Sequence, residues 1–300
     1  MLRKALLFIG LAFPSLAADV LLFSFFRGNG ETGLYLAESA DGLRWRALHG
    51  DRPLLTPRVG ESKLMRDPSI ARGPDGVFHM VWTTSWRGAT LGYASSRDLR
   101  VWSEQKTIPC VTEALNCWAP EVFYDETTKD FVVVWASTVP GRFPETAGQG
   151  AKDYNHRLYI VRTKDFATFT PAKLFYEPGF QVIDGALFRR AGKYWMVAKN
   201  ETERPPAKHL FLTSANSLDG PWSPPSAPIS GPQWAEGASP IRIGSHWYIY
   251  FDKYRDKKYG AVRSKDLQSW EDVTDSIAMP DGVRHGTVFR APEGVVRGLR

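Results

Sequence analysis

The sequence predicts an all-β fold, a single five-bladed β-propeller whose ring is closed by a C-terminal inner strand joining the N-terminal strands. Three observations lead there. The chain carries 17 Phe, 11 Trp and 11 Tyr, residues that favour strands. A turn phrase recurs five times along it, and each chain end lacks the strand that the other supplies. At 300 residues, 43% hydrophobic and 23% charged, the composition is that of a folded soluble protein and excludes disorder, collagen and a coiled coil.

Residues 1–18 come first. Arg3 and Lys4 precede an apolar run from Ala5 to Phe13, and small residues stand at Ser15, Ala17 and Ala18, the pattern of a secretory signal peptide. The run is shorter than the roughly 20 residues that span a bilayer. Residues 19–300 are therefore expected to form one soluble propeller domain, periplasmic or secreted and monomeric. The net charge of +6 is mild and dispersed, without a basic cluster interleaved with aromatics. That argues against nucleic acid as a partner, and no membrane partner is expected either; an acidic polysaccharide stays open. The two cysteines, Cys110 and Cys117, form a short disulfide loop in an oxidising compartment or remain two buried thiols. Neither a His nor a second Cys pair near them has zinc spacing.

The recurring phrase is S-x-D-G/L-x-x-W. It stands at Ser39 to Trp45, Ser96 to Trp102 and Ser264 to Trp270, with weaker copies at Thr163 to Phe169 and Ser217 to Trp222. Its period of roughly 50–60 residues suits propeller blades. An Asp that bonds the backbone two residues on tightens a turn between outer strands, and the Trp re-enters the packed face. Each copy follows an aromatic, β-branched run, read as a second strand: Leu21 to Phe26, Val77 to Thr84, Phe131 to Ser137, Tyr194 to Ala198 and Trp247 to Phe251. Four of these runs are preceded by a short strand opened by a carboxylate: Asp67, Glu121, Asp184 and Glu236. A fifth such strand, Arg284 to Phe289, ends the chain with nothing after it. The N-terminal copy has none before it, so the two ends complete one blade and leave no open sheet edge.

The four carboxylates stand at a nearly constant distance from the second strands, so they are expected at equivalent places in each blade. Inner strands of a propeller run in one direction, so residues that open them gather at one end of the channel. Asp67, Glu121, Asp184, Glu236 and His285 should therefore converge. Carboxylates facing one cavity repel one another, which costs stability unless a cation, proton or substrate uses them.

These residues resemble glycoside hydrolase family 43, whose members are five-bladed propellers. Arg66-Asp67-Pro68-Ser69-Ile70 looks like the motif of the family's general base. Ile183-Asp184-Gly185 is similar to that of its pKa modulator, and Glu236-Gly237-Ala238-Ser239-Pro240 to that of its general acid. Trp118-Ala119-Pro120-Glu121 echoes the blade-two motif, and His285 resembles an axial histidine. The resemblance implies hydrolysis with inversion, in which protonated Glu236 donates to the leaving oxygen while ionised Asp67 activates water. Asp184 would hold Glu236 protonated by like-charge repulsion, and Arg284 would pair with Asp184 or else remain a surface charge. That chemistry requires no cofactor. His285 binds an ordered water, helps hold an axial calcium ion, or is a satisfied core histidine.

Glu121, Trp86, Trp118, Trp234, Arg284 and His285 are the candidate substrate contacts, Glu121 alternatively capping its strand. The insertion from Val139 to Asn155 is expected to wall the mouth of the site and favour exo action. The expected substrate is an oligo- or polysaccharide of plant cell walls, trimmed of terminal α-L-arabinofuranose, with β-D-xylose or β-D-galactose as alternatives. Fructan-cleaving propellers also carry Arg-Asp-Pro, but their opening Asn-Asp-Pro-Asn-Gly type motif is absent. A secreted propeller that binds glycan without cutting it is the alternative of another class.

Overall fold

The computed structural model describes residues 19–231 and 234–300; the secretory signal read at residues 1–18 lies outside them. Five antiparallel sheets form a ring. In blade I the C-terminal strand Val288–Pro292 is innermost, followed by Asp19–Phe25, Tyr35–Ser39 and Arg46–Ala47. Blade II comprises Arg66–Arg72, Phe78–Thr83, Thr90–Ser96 and Lys106–Pro109. Blade III comprises Trp118–Asp125, Asp130–Ser137, Arg157–Thr163 and Lys173–Tyr176. Blade IV has Val182–Arg190, Lys193–Asn200 and Leu210–Ala215, and blade V has Glu236–Ile243, His246–Lys253, Lys258–Ser264 and Glu271–Asp272.

The ring closes where expected. Phe23 pairs with Val288 and Asp19 with Pro292, and a further bridge joins Phe26 to Arg284. The regular ladder begins at Val288, later than the anticipated Arg284, because the chain bulges between the two. Gly286 lies there so close to the Ser24 carbonyl that any Cβ would collide with it.

Middle strands alternate their side chains between the two neighbouring blades, as the two-residue strand period requires. Met80 and Trp82 pack toward blade I with Leu22 and Leu36, while Val81 joins Val133 and Trp135 between blades II and III. Val132 and Val134 turn to Leu187 and Phe211 of blade IV; Val197 and Leu212 meet Ile249 and Phe251 of blade V; Tyr250 meets Phe23 and Trp45 of blade I. Each such aliphatic or aromatic side chain contributes about 1.5–3 kcal/mol on burial.

The recurring Asp closes a turn outside the third strand. Asp41, Asp98, Asp165 and Asp266 each accept N–H bonds from the residues two and three further on, all at 2.8–2.9 Å. The residue after each Asp has positive φ: Gly42, Leu99, Phe166 and Leu267. The blade IV copy departs from this. Asp219 instead pairs with Arg162 and Lys173 of blade III. Among the described residues the proline-rich run after it forms no fourth strand: Ser223, Ser226 and Ile229 donate back to the third strand, and prolines lack the N–H a ladder needs. Cys110 and Cys117 form a disulfide.

Each inner strand of blades II to V breaks register with one bulge, between Arg66 and Ser69, Trp118 and Glu121, Ile183 and Ala186, and Glu236 and Ser239. Inside each lies one residue of positive φ: Asp67 at 52°, Ala119 at 47°, Asp184 at 56° and Gly237 at 66°. Only Asp67 and Asp184 are therefore equivalent. Glu121 occupies the place of Ser69, and Glu236 that of Arg66, which corrects the expected equivalence of four carboxylates.

Candidate active site

The bulges aim their residues into a cavity of about 420 Å3 whose lining includes Asp67, Asp184, Glu236, His285, Trp86 and Trp118. Asp67 and Asp184 come from blades II and IV, Glu236 from blade V and His285 from the segment that leads into the closing strand of blade I. With His156, which leads into the third strand of blade III, all five blades contribute an ionisable group to one space. Asp67 accepts a bond from the Thr83 hydroxyl at 2.8 Å and faces His285 Nδ1 at 3.3 Å. Burial alone would raise its pKa, but the charge and hydrogen bond of His285, helped by Arg66 and Thr83, hold it at about 2. Burial would likewise lower His285, and Asp67 outweighs it, raising it to about 9. The two form a carboxylate–imidazolium pair at neutral pH.

Asp184 is buried, and its Oδ2 accepts the Gly237 N–H at 2.8 Å. Burial, opposed by His285 and Lys199 and reinforced by Glu236, pushes its pKa up to about 6. Gly237 has to be glycine: its backbone lies so close to the His285 ring that a side chain would overlap it.

Glu236 is gripped by two cations, Lys199 Nζ at 3.1 Å and Arg284 Nη2 at 3.4 Å. Both continue into further carboxylates. Lys199 bonds Glu201 at 2.7 Å, Glu201 also takes Lys208, and Arg284 Nε donates to Asp252 at 2.6 Å. This corrects one expectation: Arg284 pairs with Asp252 and Glu236, not with Asp184. Asp184 takes a backbone N–H where Glu236 stands between two cations.

The remaining candidates divide. Trp86, 48% exposed, and Trp118 meet edge to face at 5.5 Å, with Arg66 stacked on Trp86 at 4.2 Å, and both indoles line the cavity. Trp234 is not in its lining and packs against Tyr254. Glu121 is also outside it: two residues past the bulge, it is buried against the Ser69 hydroxyl at 2.6 Å, where burial raises it to about 7. It serves the strand contact between blades II and III. Arg284 faces a separate hollow of about 700 Å3 that contains none of Asp67, Asp184 or Glu236.

The Val139 to Asn155 insertion does wall the mouth, through Ala151, Lys152 and Tyr154. It is pinned by Tyr154 Oη donating to the Trp86 carbonyl at 3.3 Å and by an Arg87–Asp153 pair at 2.7 Å. Lys199, Glu201, Lys208 and His156 join the site beyond the residues the sequence points to. Lys199 and Glu201 carry a signal, as charges at the far end of the second strand of blade IV.

His285 Nδ1 stands 3.3 Å from Asp67, and among the described residues no three His, Cys, Asp or Glu side chains are grouped to hold a metal directly.

A model of the family 43-related group, described as a probable glycosyl hydrolase domain, matches residues 18–292. The chain belongs to that family. The chain is 28% identical over 211 residues to an α-L-arabinofuranosidase of Bifidobacterium longum subsp. longum, a match covering 58% of the chain. It spans only 19% of the length of that relative. Among solved structures, an exo-β-1,3-galactanase of Phanerochaete chrysosporium with galactose superposes with a TM-score of 0.64 at 16% identity, over 86% of this chain and 62% of that one. An α-L-arabinofuranosidase of Lactobacillus brevis gives 0.54 at 15%, over 70% and 72%. These likenesses show the shared fold.

Proposed function

We propose that this family 43-related glycosyl hydrolase removes terminal α-L-arabinofuranose from plant cell-wall glycans by single displacement with inversion, acting outside the cytoplasm after export. Asp67 is the general base, Glu236 the general acid and Asp184 the residue that sets the proton affinity of the acid side. The observation that carries this is the convergence of Asp67, Asp184 and Glu236 from three blades on one cavity, with Asp67 held ionised near 2 by His285. Inverting hydrolysis needs one carboxylate and one carboxylic acid at the same pH.

Both catalytic candidates are in ion pairs, yet both open onto the cavity, with side chains 11% and 22% exposed. A binder without catalysis would have no use for two such carboxyls facing each other across one cavity. The insertion that walls the mouth supports recognition of a chain end. The choice of arabinofuranose rests on the named activity of the Bifidobacterium relative, and β-D-xylose and β-D-galactose are the competing sugars.

The test is release of aryl alcohol from α-L-arabinofuranoside, β-D-xyloside and β-D-galactoside by the purified mature chain, beside Asp67→Asn. Turnover of the arabinofuranoside above the others, lost in the variant, is the expected result. An inert wild type that still binds oligosaccharide overturns the reading.

A further inference from the structure

His156 follows the Val139 to Asn155 insertion and is 1% exposed. Its backbone is fixed, the carbonyl accepting from the Val182 N–H at 3.2 Å and from Arg157 Nη1 at 2.9 Å. Its ring lies against Tyr154 at 5.0 Å, nearly parallel, and against Trp118 at 4.8 Å. Within that clamp neither ring nitrogen has a hydrogen-bond partner among the described residues, yet the side chain lines the cavity with Gln181 and Glu201.

Buried polar groups are nearly always paired, and an unpaired one calls for a specific explanation. A second buried histidine shows what a core imidazole does in this fold: His79 Nδ1 bonds the Tyr93 hydroxyl at 2.9 Å. His156 is held as firmly and has no such partner. Burial pushes its pKa down to about 4, against Glu201 and with the help of Lys208, Lys199 and Arg157. The ring is therefore neutral at working pH, offering one donor and one acceptor, whereas His285 in the same cavity is a cation.

We propose that His156 is a specificity-determining residue of this glycosidase, whose cavity-side ring nitrogen, closed off in the free protein, bonds a hydroxyl of the terminal sugar when substrate enters, while Tyr154 and Trp118 hold the ring in place. The inference rests on the glycosidase reading of the same cavity and adds the residue that reads the sugar. Leaving a buried nitrogen unmatched is costly, so a sugar lacking the hydroxyl should be rejected.

The experiment compares kcat/KM for the preferred aryl glycoside and its monodeoxy analogues in wild type, His156→Phe and His156→Gln. The Phe variant keeps an aromatic ring in the clamp without nitrogens; the Gln variant restores a donor and an acceptor. Wild type should favour the parent over at least one deoxy analogue by about 10- to 100-fold, Phe should abolish that ratio, and Gln should regain part of it. An unchanged ratio in Phe overturns the proposal and makes His156 a core histidine satisfied by water.

Should Phe fail to fold, wild-type protein labelled with 15N-histidine decides the matter. Titration with free L-arabinose, D-xylose or D-galactose should move the His156 ring nitrogen resonances, and resonances unmoved by all three overturn the proposal. A wild type that hydrolyses no glycoside while those resonances respond would refute the hydrolase reading alone. Hydrolysis with unmoved resonances would refute this inference alone.

Discussion

Aspartates recur at two places in these blades and are satisfied in opposite ways. At the rim, Asp41, Asp98, Asp165 and Asp266 each take two backbone N–H groups. Those bonds are the leading cause that lowers their pKa values. Near the axis, Asp67 and Asp184 sit on positive-φ bulges, buried. Asp184 has one backbone N–H and Asp67 relies on a histidine and a threonine. The rim copies are kept because the turn needs them. The axial copies are costly where they stand, and the same bulge is built by Ala119 in blade III and Gly237 in blade V without a carboxylate. An even repetition marks architecture, and a broken one marks chemistry.

Four changes break or sharpen this contrast. The largest effect is expected at the axis, where Asp67→Asn should lower kcat by about 10³-fold while the ring still folds, measured by initial rates on the preferred aryl glycoside. Next, Lys199→Met should leave Glu236 and Glu201 without their shared buried cation and destabilise the protein by about 3–5 kcal/mol, read from denaturant unfolding. An effect near zero would show that the chain of charges behind Glu236 carries no stability.

The third concerns pH. His285 is raised from 6.5 to about 9, so the stability it lends is complete below pH 6.5 and is lost as pH climbs to 9. Asp67 is lowered from 3.8 to about 2, so its share is complete above 3.8 and is lost as pH falls to 2. The melting temperature should therefore decline between pH 6.5 and 9 in wild type, and His285→Gln should flatten that decline. Smallest is Asp98→Ala at the rim, expected to lower the melting temperature by roughly 2–4 °C with kcat unchanged.

Ring closure was legible because the run from Arg284 to Phe289 has no second strand after it and Leu21 to Phe26 has no inner strand before it. Asp67 and Asp184 were legible because each is itself the bulge residue. Glu121 misled for a physical reason: the hairpins at residues 73–77, 126–129, 191–192 and 244–245 differ in length, and the difference absorbed the two-residue displacement of Glu121. Counting along the chain cannot separate a longer hairpin from a shifted side chain; the pairing of Glu121 with Val134 and of Ser69 with Val81 does. The cations on Glu236 were hidden similarly, since Lys199 reaches the site only because it pairs with Ile183 across the sheet. His156 gave no signal, because a lone histidine shows its missing partners only in three dimensions.

The division of labour between Asp67 and Glu236 is tested most directly by the leaving group. Kinetics of Glu236→Gln and Asp67→Asn on a dinitrophenyl glycoside, whose leaving group needs no proton, and on an alkyl glycoside, whose leaving group does, separate acid from base. The account predicts that Glu236→Gln loses at least about 10²-fold on the alkyl glycoside and much less on the dinitrophenyl one, while Asp67→Asn fails on both. Equal losses by Glu236→Gln on the two substrates, or full activity of Asp67→Asn on either, would contradict it.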